Sequence, residues 1–424
     1  MKLFRYSLCA FAIFLHTTIY LSAQKIQPVK NFGANPGNLK MYLYSPPSSP
    51  DKKMPLLVVL HGCLQSAGTL AKQAGWNKLA DAYGFKVLYP QQKIWNNPMK
   101  CFCWYNRNDI EKGKGESFSI KQMIDEAVKS ENIDSTKIFV TGLSAGAAMG
   151  VSLMADYPET FNAGAIFAGG AYKSATNIWN ALMTMYGWRI KSPEKWGALV
   201  REQNPNYKGE YPRMIIYQGK MDAVVNKRNG SQLMKQWTNL HHLSTTPTET
   251  INRFAFANRL MVSTTPTETI NRFAKAKAIE KNIYRDTANR EAVIYYRIKR
   301  LGHALLVDPG KCFNQGGRLG LFSTDKNYFS SYWTLVDFGL IHLPEIEGKK
   351  EVRKNENNLT YTISSANENS KFIWSVPKDC KVTGTKDGNS ITVSWGEKTG
   401  NVDVQEILEG KCKQTYPTLL VKVQ

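Results

Sequence analysis

The sequence predicts an α/β protein, a mostly parallel sheet covered by helices, followed by a small all-β domain of immunoglobulin-like type at the C-terminal end. Three observations carry this. Apolar strand-like runs alternate with stretches of helical spacing from Met54 to Phe338. Runs such as 55–60 (PLLVVL) are apolar throughout, as strands buried on both faces of a parallel sheet are. Beyond residue 358 the helical spacing gives way to short β-type segments separated by turn residues.

In chain order, Lys2 and Arg5 precede an apolar run over 6–20 that ends in Leu21-Ser22-Ala23. This reads as a signal peptide over 1–23, cut after Ala23, because the run is shorter than the roughly 20 residues a membrane span needs. The mature chain is therefore expected to be secreted, with no stable membrane anchor. The strands and helices of a domain over 24–343 follow: strand 55–60, helix 70–83, strand 85–89, helix 120–132, strand 137–140, helix 144–157, strands 164–167, 213–217 and 292–298, and a closing helix at 332–338. Residues 344–357 are charged and nearly free of apolar side chains, and read as a linker. The sandwich over 358–424 takes strands at 359–364, 371–376, 390–395, 401–407 and 415–423, with Trp374 in its core and Cys380 paired with Cys412. One repeat stands out: STTPTETINRFA occurs at 244–255 and again at 263–274. Two copies are too few for a solenoid, so it reads as a local duplication in a surface loop.

Composition limits the function classes. The 424 residues hold 42% hydrophobic side chains, enough for a core that folds without metal. Removal of Cys9 with the signal leaves six cysteines, an even number that suggests disulfides in an exported chain. Cys101-Phe102-Cys103 has one spacer residue and no histidine nearby, which argues against a metal site. The net charge of +21 is scattered through both halves and reads as a solvated basic surface, with no nucleic-acid partner expected.

The chemistry is concentrated at Gly142-Leu143-Ser144-Ala145-Gly146, which follows a strand and opens a helix. A serine in so tight a turn needs small flanking residues, and this strand–turn–helix context marks the nucleophile elbow of an α/β-hydrolase. A serine hydroxyl needs a base, and in this fold the order along the chain is Ser, Asp, His. Six histidines exist. His16 leaves with the signal, His61 precedes the serine, His241 and His242 adjoin the duplication, and His342 lies beyond the closing helix. His303 remains, on a loop after the strand 292–298, and Asp222, after the strand 213–217, is placed to orient it. Asp308 follows the histidine and breaks the order. The turn His61-Gly62-Cys63 after the first buried strand suits an oxyanion loop, with the N–H groups of Cys63 and Ala145 as donors. Trp104 and Tyr105 are candidate substrate contacts.

At these residues the sequence resembles the polyhydroxybutyrate depolymerase family of secreted esterases, relatives of feruloyl and acetylxylan esterases. The matching segments are LHGCLQ at 60–65, GWNKLAD at 75–81, LYPQQ at 88–92, NPMKC at 97–101 with Trp104-Tyr105, and 141–149, together with Gly219, Asp222, Val225 and Gly302-His303. The resemblance covers roughly residues 35–340 and implies a Ser144–Asp222–His303 triad, with a disulfide from Cys63 to the 101–103 segment. Cys103 stands where the family pattern has a polar residue, and pairing with Cys312 is an expectation for it. Gln218-Gly219 replaces the His-Gly that relatives favour, and Ala304-Leu305 replaces Ala-Trp. The tail resembles PKD-like domains through FIWSVP at 372–377 and NSITVSWG at 389–396. The expectation is a serine ester hydrolase without cofactor, acting on a polymeric or aryl ester such as a polyester. The alternatives are a feruloyl or acetylxylan esterase on plant polysaccharide, a peptidase, or a binding protein on an inactive hydrolase scaffold.

Overall fold

The computed structural model describes residues 25–47, 52–253, 279–363, 370–384, 388–407, 412–415 and 419–424. The expected signal peptide and the second copy of the duplication lie outside them. The chain divides into two compact units, one comprising residues up to 309 with 316–334, the other 310–315 with 335–424.

The first unit is built on a ten-stranded sheet. Its strands are β1 (Gln27–Val29), β2 (Lys40–Tyr44), β3 (Met54–Leu60), β4 (Lys86–Gln91), β5 (Ile133–Leu143), β6 (Ala163–Phe167), β7 (Arg213–Gly219), β8 (Glu249–Arg253), β9 (Ile279–Arg285) and β10 (Glu291–Ile298). Their spatial order is β1-β2-β4-β3-β5-β6-β7-β10-β9-β8. The six from β4 to β10 are parallel, and antiparallel strands close both edges. The unbroken apolar runs of β3 and β6 fall in this parallel centre, where both faces are covered. Helices α1 (Ala67–Ala74), α2 (Trp76–Tyr83), α3 (Gly115–Ser130), α4 (Ala145–Asp156), α5 (Ile178–Met185), α6 (Pro193–Arg201) and α7 (Arg228–Leu240) complete the α/β-hydrolase fold, and α8 (Ser330–Phe338) has its first five residues in this unit. Strands β11 (Leu305–Val307) and β12 (Ser323–Asp325) pair separately.

Two expectations are corrected here. The single helix over 70–83 is two helices, because Gly75 adopts a left-handed conformation (φ 69°) and its N–H caps α1 on Ala71. Residues 249–253 of the duplication's first copy form a strand where a surface loop was expected. Its Thr-Ile-Asn-Arg sequence alternates well enough to add β8 as an edge strand on β9, and Thr248 Oγ1 anchors its start to the Ile283 carbonyl at 2.9 Å.

The second unit is a sandwich. One sheet is ordered β13 (Ile346–Glu347), β15 (Leu359–Ile363), β18 (Ser390–Ser394), β17 (Lys381–Val382). The other runs β14 (Glu351–Val352), β21 (Leu419–Val423), β19 (Gly400–Ile407), β16 (Lys371–Ser375), with β20 (Lys413–Thr415) also on β19. Residues 344–357, expected as a linker, thus supply two strands of the sandwich; Ile346 and Val352 are the apolar residues that allow it, both buried. Trp374 is only half-buried, with its indole N–H on the Gly388 carbonyl; Trp395 is the buried tryptophan. Cys412 bonds Cys312 and not Cys380, whose thiol is free. No helix among the described residues is long and apolar enough to cross a membrane.

Candidate active site

Ser144 sits where β5, between β3 and β6, turns into α4. Its backbone is in a sparsely populated conformation, φ 57° and ψ −120°. Two hydrogen bonds hold it there: its N–H donates to the Phe167 carbonyl at 2.9 Å, and its carbonyl accepts from Ala148 N–H at 3.0 Å. The flanking glycines are required by contact. A Cβ on Gly142 would lie 2.5 Å from the Gly146 carbonyl oxygen, and one on Gly146 would lie 2.3 Å from that of Leu60.

Asp222 and His303 come from neighbouring parallel strands, β7 and β10. Their loops are joined backbone to backbone, Lys220 N–H to the Ile298 carbonyl at 2.8 Å and Met221 N–H to the Leu301 carbonyl at 3.0 Å. The carboxylate of Asp222 has no side-chain exposure. Its Oδ1 accepts from Val224 and Val225 N–H (2.9 and 2.8 Å) and its Oδ2 from His303 Nδ1 at 2.9 Å. With every oxygen so engaged the carboxylate fixes the imidazole with its proton on Nδ1, leaving Nε2 as the basic nitrogen. Gln218 also donates to Oδ2, at 3.3 Å, and to the Val225 carbonyl. Gln218 Oε1 is buried without a partner. All contacts of that amide are through its nitrogen, the polarity a carboxylate neighbour demands.

The loop after β3 is held from beneath. His61 is fully buried, donates from Nδ1 to the Gly62 carbonyl (2.8 Å) and accepts at Nε2 from Gln92 N–H (3.1 Å). Burial lowers its pKa to about 4, so it is a neutral structural imidazole. Gly62 N–H is taken by Gln65 Oε1 at 2.8 Å, and Leu64 N–H by the Met99 carbonyl at 2.7 Å. Cys63 is disulfide-bonded to Cys101, within the 101–103 segment to which the family resemblance pointed. Cys103 does not pair with Cys312. Its N–H donates to Glu116 Oε2 at 2.7 Å, and its thiol lies with Asp109 and Glu116 in a group whose potential ligand atoms are within 4.8 Å of one another. Burial pushes Glu116 up to about 8 and raises Cys103 above its ordinary value, and the Glu116 carboxyl, accepting from Cys103 N–H, braces the 101–105 loop.

Ser144, His303, Cys63, Ala145, Trp104 and Tyr105 all line one cavity of about 420 Å³. Asp222 stands behind His303, outside the lining. Phe322 meets the His303 ring edge-on, with centroids 5.9 Å apart. Sequence reasoning gave no role to Gln65 or Gln218 and missed the α5 residues Ile178 and Leu182, which form one wall of the cavity. Gln65 was legible as part of the LHGCLQ segment, but its amide has a role only once the loop folds back on Gly62.

A strained serine at a strand–helix elbow, on a parallel sheet that also presents an aspartate-bound imidazole, defines a serine hydrolase of the α/β-hydrolase fold. The comparisons narrow the class to esters. The model of the family described as Esterase PHB depolymerase matches residues 39–252, and the chain belongs to that family. A PKD-like domain model matches 341–420. Poly(3-hydroxyalkanoate) depolymerase C of Paucimonas lemoignei is 36% identical over 322 residues, 76% of this chain and 71% of that one. An acetylxylan esterase of Coprinopsis cinerea is 35% identical over 241 residues, 54% of this chain and 62% of that one. Among solved structures, the acetyl xylan esterase of Aspergillus awamori aligns with a TM-score of 0.56 at 25% identity, covering 66% of this chain and 94% of the other. The chain is an ester hydrolase.

Proposed function

We propose that the protein is a secreted esterase that cleaves a polyester of the polyhydroxybutyrate type, or its oligomers, through a Ser144–His303–Asp222 triad. His303 Nε2 takes the Ser144 Oγ proton as the oxygen attacks the ester carbonyl. The oxyanion is received by Cys63 and Ala145 N–H, each donor contributing about 3 kcal/mol to the transition state. His303 then protonates the leaving alkoxide, giving an acyl-Ser144 ester and an alcohol. Water, deprotonated by the same imidazole, releases the acid. Asp222 stays ionised and stabilises the imidazolium. The N-terminal basic and apolar run, with Ala23 at its end, supports export.

The observation that carries the substrate reading is the wall of the cavity, where Leu64, Met99, Ile178, Leu182 and Val224 present aliphatic side chains to the serine. An acyl chain of a hydroxyalkanoate fits such a wall better than a sugar, whose hydroxyls need polar partners. The 36% match to a poly(3-hydroxyalkanoate) depolymerase supports the same reading. Acetylxylan is the second reading, favoured by the alignment with the Aspergillus awamori enzyme. Release of hydroxybutyrate oligomers from polyhydroxybutyrate, set against acetate from acetylated xylan and ferulate from feruloylated arabinoxylan, decides between them, with Ser144→Ala as the control. Faster release of acetate or ferulate would overturn the polyester reading.

A further inference from the structure

We infer that α5 and the segment to Ile190 form an adsorption face that seats the catalytic unit on the surface of solid aliphatic polyester. The inference rests on the polyester reading above and adds the place where the solid is gripped.

The helix is patterned the wrong way round for a soluble protein. Surface helices turn apolar residues inward and polar ones outward. In α5 the buried residues are Ala181 and Thr184, while Ile178, Trp179, Leu182, Met183 and Tyr186 face solvent at the i, i+4, i+8 and i+1, i+5 positions of one face. Exposure is large where it should be small: Trp179 75%, Trp188 62%, Tyr186 61%, Ile190 55% and Met183 43%. Between Ile178 and Ile190 the only charged residue is Arg189, and it is turned back onto the Ser174 carbonyl at 3.2 Å.

The face is built. Polar groups hold the segment from its inner side: Asn177 caps α5 through Asn180 N–H, Thr184 Oγ1 donates to the Ser174 carbonyl at 2.9 Å, and Asn229 Nδ2 donates to the Thr184 carbonyl at 2.7 Å. Asn226 N–H donates to the Met185 carbonyl at 2.8 Å. The rings of Tyr186 and Trp188 stack at 5.1 Å, which keeps both turned outward in register. So many bonds fixed beneath an apolar outer surface hold large side chains in water where they gain nothing alone; contiguous exposed apolar surface of this kind marks a contact site.

Continuity with the cavity identifies the occupant. Ile178 and Leu182 belong both to the exposed face and to the wall beside Ser144, and across the opening Leu64 and Met99 are likewise exposed and cavity-lining. A flat solid laid on this rim delivers a chain end or loop into the cavity without leaving the surface. The mix of Ile, Leu and Met with the rings suits methyl-bearing polyester chains, which offer ester oxygens and no donors.

The test uses the full chain. Adsorption of Ser144→Ala protein to polyhydroxybutyrate particles is compared with that of the same protein carrying Trp179→Gln, Met183→Gln and Trp188→Gln. None of those three lines the cavity. The expected result is at least a tenfold weaker adsorption. With Ser144 restored, the triple variant should keep kcat/KM for p-nitrophenyl butyrate within twofold, while its rate on particles falls about as much as its adsorption. Unchanged adsorption would overturn the inference, as would a matching loss of p-nitrophenyl butyrate activity, or a stronger triple-dependent adsorption to insoluble xylan or to phosphatidylglycerol vesicles. Failure of the substrate reading is seen separately, as absence of hydroxybutyrate release by the unmutated chain, since adsorption is read on a protein that cannot hydrolyse.

Discussion

Two helices flank the reactive serine side of the molecule and are opposites. Helix α4 buries eleven of its twelve residues, whereas α5 buries two of its eight. The first begins at Ser144, the proposed nucleophile, and is fixed on all sides, so its small and apolar composition answers to space. The second is fixed from within, and its outer residues meet the cavity or solvent. The contrast separates two tasks: the buried scaffold sets the geometry of the reaction, and the exposed face meets what is to be cleaved. Substitutions in the first should therefore destroy turnover on every ester, and those at the α5 residues outside the cavity wall, Trp179 and Met183, only turnover on a solid.

The largest effect is expected at the scaffold's reactive end. Ser144→Ala should lower kcat on p-nitrophenyl butyrate by about 10⁶-fold, and Asp222→Asn by about 10⁴-fold through loss of the correct His303 tautomer. A residual activity of Ser144→Ala near that of the unmutated chain would remove the triad from the mechanism. Next comes the elbow itself. Gly146→Ala places a methyl 2.3 Å from the Leu60 carbonyl oxygen, and backbone cannot rotate away as a side chain can. A loss of about 3 kcal/mol in urea unfolding is expected, together with loss of activity. A variant of normal stability would show the elbow to be looser than its contacts imply. A smaller effect should follow from Gln218→Leu, which removes the amide donor to Asp222 Oδ2 but not the two backbone donors on Oδ1. About fivefold in kcat/KM is expected, equivalent to one net hydrogen bond, with the acid limb of the pH–rate profile displaced. A change in KM alone would mean that Gln218 acts on the cavity rather than on the carboxylate.

The same contrast explains what could be read from the sequence. Parallel strands, the elbow and the order Ser144, Asp222, His303 were legible because a buried scaffold leaves local marks: unbroken apolar runs, glycines at fixed spacing, a short roster of histidines. The disulfide of Cys412 with Cys312 was not, since the partners are 100 residues apart and Cys380 is nearer in the chain. Nor were the strands β13 and β14, whose two-residue lengths are swamped by the charges around them. In α5 the apolar spacing is plain, yet spacing alone assigns apolar residues to the core, and only the structure turns them outward. Gln218 was noticed as a departure from relatives, but its donor role depends on a loop from β7 folding over it.

The last effect is spread over a range of pH and concerns the scaffold's protons. Glu116, on α3, is buried beneath the 101–105 loop, and desolvation together with the neighbouring Asp109 pushes it up to about 8 from an ordinary value of 4.5. Below pH 4.5 folded and unfolded chains both carry this proton. As pH rises from 4.5 to 8 the unfolded chain releases it while the folded chain holds it, so the stability it confers is lost across that window, at roughly 1 kcal/mol per pH unit. Asp156, also pushed to about 8 by burial, adds a second loss of the same sign. His61 runs the other way, its depressed pKa costing stability as pH falls from 6.5 towards 4. Glu116→Gln keeps the shape and removes one titration. Melting temperature measured from pH 5 to 8 should fall less steeply in the variant than in the unmutated chain, with the residual slope left by Asp156. Equal slopes would mean that Glu116 is ionised in the folded protein over this range.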